Sequence, residues 1–301
     1  VAVREWLRRK GEGTAWVYDH LMDRWRQAGA RDIRPGAILM VPAAAGGYDP
    51  LTGWDPNARG PVPLVPVSSG EAPEGYGGDP MSGTGHPQTI AAHTDEVVAV
   101  LRELLDHLPW LAPVAEDLLT AARWHDCGKG HEIFQETMRE GLPAELLDKP
   151  VLWAKTEKRG LKHRIRGFRH ELASALAFCD VHPDRFLPAY LIGAHHGRVR
   201  LSIRSLPDER LDEGGQRVMG ITQGDVLPPV DLGGGHRYPG GTLDITATYL
   251  AGDRPAWTEQ AVALRDRPDL GPFRLAYLEA VLRAADQRAS ARTADNEAER
   301  G

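Results

Sequence analysis

Cysteine is nearly absent from the chain: Cys127 and Cys179 are the only two in 301 residues. With so few thiols a disulfide framework is not expected, and a reducing, cytoplasmic location is the natural reading. Neither cysteine belongs to a C-x-x-C pair, which excludes a thiolate zinc knuckle. Long apolar runs are missing as well. None approaches the roughly 18 residues of a membrane span, and Val1-Ala-Val-Arg-Glu-Trp6 lacks the apolar core of a signal peptide. No membrane partner is expected. There is no G-x-x-x-x-G-K-[ST] run, so a P-loop nucleotide motor is not encoded in this stretch. Excess positive charge is missing too. The formal net charge of −6 argues against a protein that coats nucleic acid over its whole surface.

What is present divides into parts. Residues 1–85 read as a small irregular or β-containing accessory or junction segment. An amphipathic stretch runs from Trp16 to Trp25, a strand is expected at Ala37–Val41, and nine Pro and ten Gly fall between Pro42 and Pro87. That density breaks helices and favours turns. From about Thr89 apolar residues recur at helical spacing (Val97, Val98, Val100, Leu101, Leu104, Leu105), and the helix ends before Pro109. Further helices are expected over Ala112–Ala122, Ile133–Arg139, His170–Cys179, Pro188–His196 and Phe273–Ser290. The Gly/Pro-rich stretch 212–250 reads as a hairpin-like insertion, and 292–301 as a polar, frayed tail. The expectation is a mainly α fold whose working domain spans 86–291. The chain starts with Val1 rather than Met, as an excised domain or a processed chain would.

Histidines and aspartates stand out by placement: His93, the adjacent pair His125-Asp126 followed by Gly128-Lys129, His170, the adjacent pair His195-His196, and Asp286 inside an apolar helix. Imidazole and carboxylate ligands suit transition metals better than Mg or Ca. A carboxylate such as Asp126 has two oxygens and can bridge two ions. Two ions about 3.5–4 Å apart can drive in-line phosphoryl displacement. Lys129, three residues beyond Asp126, shares its face if the helical turn continues and can neutralise charge on a phosphate oxygen. Each residue also has an ordinary use. Asp286 can pair with Arg283 or Arg288, and the His195-His196 pair can cap a helix C-terminus.

In its order of residues the chain resembles the HD superfamily of metal-dependent phosphohydrolases. Within it, the chain is most similar to the HD nuclease domain of CRISPR-associated type I helicase-nucleases. The resemblance rests on Leu-Thr-Ala-Ala-Arg-Trp-His125-Asp126-Cys-Gly-Lys129-Gly-His-Glu-Ile-Phe134-Gln135, Arg169-His170-Glu171, Ala194-His195-His196-Gly197 and Ala285-Asp286-Gln-Arg-Ala-Ser290, and covers about residues 86–291. It implies a helical HD domain with two divalent transition-metal ions (Mn, Ni, Co or Fe) that cleaves single-stranded DNA in antiviral CRISPR interference. His93, His125, Asp126 and Asp286 would hold one ion. Asp126, His170, His195 and His196 would hold the other, with Asp126 bridging and Lys129 at the phosphate. The implied partners are a helicase domain, on the same polypeptide or in trans, and the CRISPR surveillance complex. The arrangement resembles subtype I-G (I-U), in which the HD domain follows the helicase. Cys127 departs from the family, where an aliphatic residue is common, and is expected to be a small buried packing residue.

A basic run precedes His170. Residues 155–169 carry seven Lys or Arg against Glu157 alone. Lys158, Arg159, Lys162, Arg164 and Arg166, with Arg198 and Arg200 after the His-His pair, are candidate phosphate contacts for DNA. The competing meaning is a solvated charged loop. For Trp153 and Phe168, core packing is preferred to base stacking. The alternative activity is hydrolysis of small or cyclic nucleotides. A third reading is a non-catalytic binding module, against which the retention of every candidate ligand argues; a redox enzyme using two irons is a fourth, which the ligand set alone would tolerate.

Overall fold

A computed structural model describes residues 2–10, 14–19, 24–29, 32–33, 39–49, 53–59, 62, 86–158, 161–165, 167–197, 199–203, 209, 216–249 and 255–298. The chain divides into two compact units, residues 1–72 and 73–301. The sequence-based boundary at 85 lies within an undescribed stretch.

The first unit holds helix α1 (Ala2–Lys10) and short strands β1 (Trp16–Asp19), β2 (Arg24–Gln27), β3 (Leu39–Met40), β4 (Tyr48–Asp49) and β5 (Gly53–Trp54). The stretch Trp16–Trp25 forms the antiparallel β1–β2 pair, with β3 on the other edge of β1. A small core of Trp6, Leu7 and Ala15 supports it. Gly47, at φ +83°, lies under the Trp6 ring, where a Cβ would come within 2.6 Å of the indole. Only glycine allows that approach.

The second unit is mainly helical: α2 (Ile90–Asp106), α3 (Ala115–Trp124), α4 (Glu132–Arg139), α5 (His170–Val181), α6 (Phe186–Ala194), α7 (Trp257–Arg265) and α8 (Gly271–Ala298). Thr89 caps α2 by accepting the Ala92 N–H, so His93 lies within the first turn of the helix. Pro109 and Pro113 confine Pro109–Val114 to a 3-10 stretch, and α3 starts only after it. Helices α5 and α6 are buried over most of their length, as central helices must be, and α5 carries His170, Glu171 and Ser174 inward. Helix α2 lies along α8, and α8 runs on through 292–298, where a frayed tail was expected. No helix among the described residues is long and apolar enough to cross a membrane.

Strands β6 (Gln88–Thr89) and β7 (Trp153–Lys155) pair beside the start of α2. The 212–250 stretch contains a small hairpin, β8 (Arg217–Val218) with β9 (Ile221–Thr222). Beyond it lies a nested one, in which β10 (Val226–Leu227) pairs with β13 (Gly241–Thr242) around β11 (Val230–Gly233) and β12 (His236–Tyr238). This hairpin is part of the core. Val230, Leu232 and Tyr238 are buried, Arg123 donates to the Leu232 carbonyl and to Asp95, and a Cβ on Gly130 would strike Val230 at 2.6 Å.

Candidate metal centre

Five imidazoles and two carboxylates converge where α2, α3, α5, α6 and α8 meet. His93, His125, Asp126, His170, His195 and Asp286 are buried, and His196 is half-buried. Helix α3 stops at Trp124, His125 extends its last turn, and Asp126 at φ −102°, ψ 6° turns the chain into a 3-10 stretch, Cys127–Gly130. The turn is thus not a continued α-helix. Residues three apart eclipse in a 3-10 turn, and Lys129 Nζ reaches 3.1 Å from Asp126 Oδ2.

Asp126 is central. Its Oδ2 lies 3.4 Å from His125 Nε2 and 3.6 Å from His93 Nε2, while its Oδ1 lies 3.4 Å from His170 Nε2. Around it, potential ligand atoms of His93, His125 and Asp286 lie within 4.8 Å of one another, and so do those of His170, His195 and His196. These two clusters could each hold a metal ion. Asp286 pairs with His93 Nε2 at 3.0 Å across the α2–α8 contact rather than with the flanking arginines.

The tautomers are set locally. His125 Nδ1 donates to the Ala122 carbonyl at 2.7 Å, and His195 Nδ1 donates to the Ile192 carbonyl at 2.6 Å. A carbonyl can only accept, so Nε2 of each ring carries the lone pair. Both Nε2 atoms are buried with no hydrogen-bond partner, and Asp126 Oδ2 has the Lys129 ammonium as its one close cation. Leaving a buried polar atom unmade costs about 1–3 kcal/mol. An arrangement that collects such atoms around one carboxylate suits a cation with N and O ligands. His195 is the C-cap residue of α6, and its bond to the Ile192 carbonyl aims its other nitrogen inward.

Electrostatics follow the same pattern. Burial, reinforced by His196, His125 and His170 and opposed by Asp126, holds His195 well below the usual imidazole range. Burial also lowers His125, against the pull of Asp126 and Asp286. Both rings are neutral at pH 7, as metal ligands must be. Burial pushes Asp126 up, but His125, Lys129, His170 and His93 together outweigh it and hold the carboxyl well below its ordinary value. For Asp286, His93 and His125 likewise outweigh burial. Burial and Asp126 raise the Cys127 thiol, which has no exposure and behaves as the expected packing residue.

Several supporting residues carry no motif of their own. Ser174, fully buried on α5, accepts the Gly128 N–H and donates to the His125 carbonyl, both at 2.7 Å. Gly128 is tight against α5, where a Cβ would meet the His170 carbonyl at 2.1 Å. Gln135 donates to the Lys129 and Trp153 carbonyls and accepts the Trp153 N–H, pinning the 3-10 turn to β7. Glu171 Oε2 stands 3.7 Å behind His170 Nδ1. His131 caps α4 through Nδ1 and turns Nε2 to Asp225, 3.4 Å away on the hairpin.

The basic run is not a uniform surface track. Lys155 is 1% exposed: β7 directs it inward, and its Nζ donates to Ser290 Oγ at 2.7 Å, one turn beyond Asp286. Arg169 is half-buried beside Glu171. Lys158, Lys162 and Arg164 are exposed, with Arg164 paired to Glu136. Arg159, Arg166 and Arg198 lie outside the described residues. The run is moored near the centre by His163, which meets the Thr137 hydroxyl and packs on Phe134 and Phe168; Phe134 in turn faces His170. Trp153 and Phe168 are core residues.

The chain matches no protein-family model, no curated protein and no solved structure.

Proposed function

We propose that the chain is an HD-type, divalent-metal-dependent phosphodiesterase that cleaves single-stranded DNA, with two transition-metal ions held between the clusters around Asp126. The observation that carries the reading is the orientation of Asp126: one oxygen faces His93 and His125, the other faces His170. A one-ion site does not need that arrangement. Mn, Fe, Co and Ni fit the mixed imidazole–carboxylate donors.

Two ions bound there would supply a Lewis-acidic pair that activates water and stabilises the entering and leaving oxygens. The chain's own residues do the rest. His125 and His195 offer neutral nitrogens in orientations already fixed by carbonyls of their own helices. Lys129 pairs with Asp126 in the unliganded site and is placed to share its charge with a phosphate oxygen. Lys158 and Lys162, exposed on the stretch that leads to His170, would offer positive charge to a polymeric, anionic substrate. CRISPR interference, with a helicase and a surveillance complex as partners, is what the motif resemblance adds to this reading. The second reading, a small or cyclic nucleotide as substrate, is favoured by the depth of the ligands, of which only His196 is half-buried.

The test is direct. The chain is incubated with linear and circular single-stranded DNA, duplex DNA and cyclic mononucleotides, with Mn, Co, Ni, Fe or Mg, or with chelator. Metal-dependent loss of single strands is expected. Hydrolysis of cyclic nucleotides with single strands intact would favour the second reading. Asp126→Ala should lower turnover by more than about a thousandfold and reduce the metal bound per chain in equilibrium dialysis. Retained turnover would refute the assignment.

A further inference from the structure

Arg200 follows the His195-His196-Gly197 turn, where Gly197 at φ +74° ends α6 in the left-handed conformation. Its guanidinium folds back over that turn: a methyl group placed on Gly197 would lie 3.5 Å from Arg200 Nη2. Arg200 Nε donates to Glu279 Oε2 at 2.8 Å, and the Tyr190 hydroxyl donates to Glu279 Oε1 at 2.7 Å. Glu279 is buried and sits two turns before Asp286 on α8, on the same face. Both carboxylate oxygens are thereby occupied, and Arg200 is held only through Nε. Its Nη groups take no partner among the described residues, and the side chain is 55% exposed.

Neutralising Glu279 does not by itself explain this geometry. A guanidinium offers five donors in a planar fork, and its Nη edge matches two oxygens of a phosphate. Here the fork is held from behind by a buried carboxylate, so little side-chain freedom is lost when the free edge is used. Burial and the bond to Glu279 raise the Tyr190 phenol, which stays protonated and keeps donating. The backbone of Arg200 is fixed as well, because its carbonyl accepts from Trp257 Nε1.

We propose that Arg200, braced by Glu279 and Tyr190, is a phosphate clamp at the His196 side of the centre, gripping the non-bridging oxygens of a nucleic-acid backbone phosphate. Arg200 is the contacting residue; Glu279 and Tyr190 are positioning residues. The clamp rests on the nuclease reading and narrows it, because it gives a backbone phosphate a defined seat beside the half-buried histidine.

The test uses the full chain and a fluorescein-labelled single-stranded oligodeoxynucleotide. Affinity is measured by anisotropy across a salt series, with chelator present to prevent hydrolysis. For a single strand, each phosphate contact contributes about 0.7 to the slope of log K against log salt. Arg200→Ala is expected to weaken binding about tenfold and to lower the slope by about 0.7. Arg200→Lys should keep the slope while losing part of the affinity. Glu279→Gln should weaken binding a few-fold with the slope retained, because the charge stays but its brace loosens. If the wild-type chain binds the strand and Arg200→Ala changes neither affinity nor slope, the clamp is overturned and the nuclease reading stands. A lower melting temperature with an unchanged slope also overturns it, leaving a structural ion pair. If the wild-type chain neither binds nor cleaves single strands, the nuclease reading falls and the clamp falls with it.

Discussion

Ser174 has no ligand role, yet its removal should damage the centre more than that of most buried serines. The hydroxyl sits between the two sides of the turn that delivers His125 and Asp126, accepting from Gly128 N–H and donating to the His125 carbonyl. In Ser174→Ala both backbone groups stay buried, and Gly128 is too tightly pressed on α5 for water to replace the hydroxyl. An unsatisfied buried polar group costs about 1–3 kcal/mol, so two place the loss at about 2–4 kcal/mol after some relaxation. For a unit of this size that corresponds to a fall in Tm of about 4–16 °C. Metal affinity should fall with it, by about 10–100-fold, as when groups that orient ligands are lost. Urea unfolding of the metal-free chain reads the first effect, and Co(II) titration followed by visible absorption reads the second. Ser174→Thr keeps the hydroxyl and separates bonding from volume. A loss below about 0.5 kcal/mol with unchanged Co(II) affinity would refute the idea that this hydroxyl holds the turn.

Two further outcomes are expected. His125 and His195 have depressed pKa values in the folded chain, so below the ordinary imidazole value the unfolded chain binds protons that the folded one does not. Stability of the metal-free chain should therefore fall as pH drops through about 6.5, by up to about 1.4 kcal/mol per pH unit for each ring. Urea midpoints between pH 8 and 5 measure this, and His195→Gln should flatten the slope; an unaltered slope would show that His195 is not neutral in the folded state. Cys127, fully buried with a raised thiol pKa, should resist a thiol reagent such as DTNB until the chain unfolds. Mass mapping of modified Cys127 under native conditions would contradict the packing.

The helical character and the buried clustering of the histidines and aspartates were legible because both rest on local signals. Apolar spacing marked α2, α3 and α8. Histidine and aspartate inside apolar runs are costly unless satisfied, so their presence there carried information before any contact was known. The supporting residues gave no such signal. Ser174 in Leu-Ala-Ser-Ala and Gln135 after Phe134 are ordinary helix residues whose partners lie on other elements, and only packing brings them together. Strand β7 is three residues long, too short for a period to show, so Lys155 was counted with a surface run although its strand points it inward. Arg200 was legible as a charge near the His-His pair. Its brace was not, because Tyr190 and Glu279 lie on different helices and are ordinary in composition.

The charge of the centre links its two proposed partners. In the metal-free chain, Asp126, Asp286 and Glu171 outnumber Lys129 and Lys155 as formal charges buried at or beside the centre, and the whole chain is acidic. An anionic backbone would therefore meet a repulsive interior, with exposed Lys158, Lys162 and Arg200 among the described residues to attract it. Two divalent ions, if held as proposed, would reverse that sign at the bottom of the site while leaving the surface charges as they were. In low-dielectric surroundings such a reversal acts strongly over a few ångströms and weakly at the surface. On the proposed reading, phosphate capture at the surface and phosphate engagement at Asp126 would thus be separable steps. The first depends on salt and hardly on metal, the second on metal and much less on salt. A small nucleotide, too short to span rim and floor, would gain from the second alone, which is why the salt dependence of turnover separates the two substrate classes more sharply than its absolute rate.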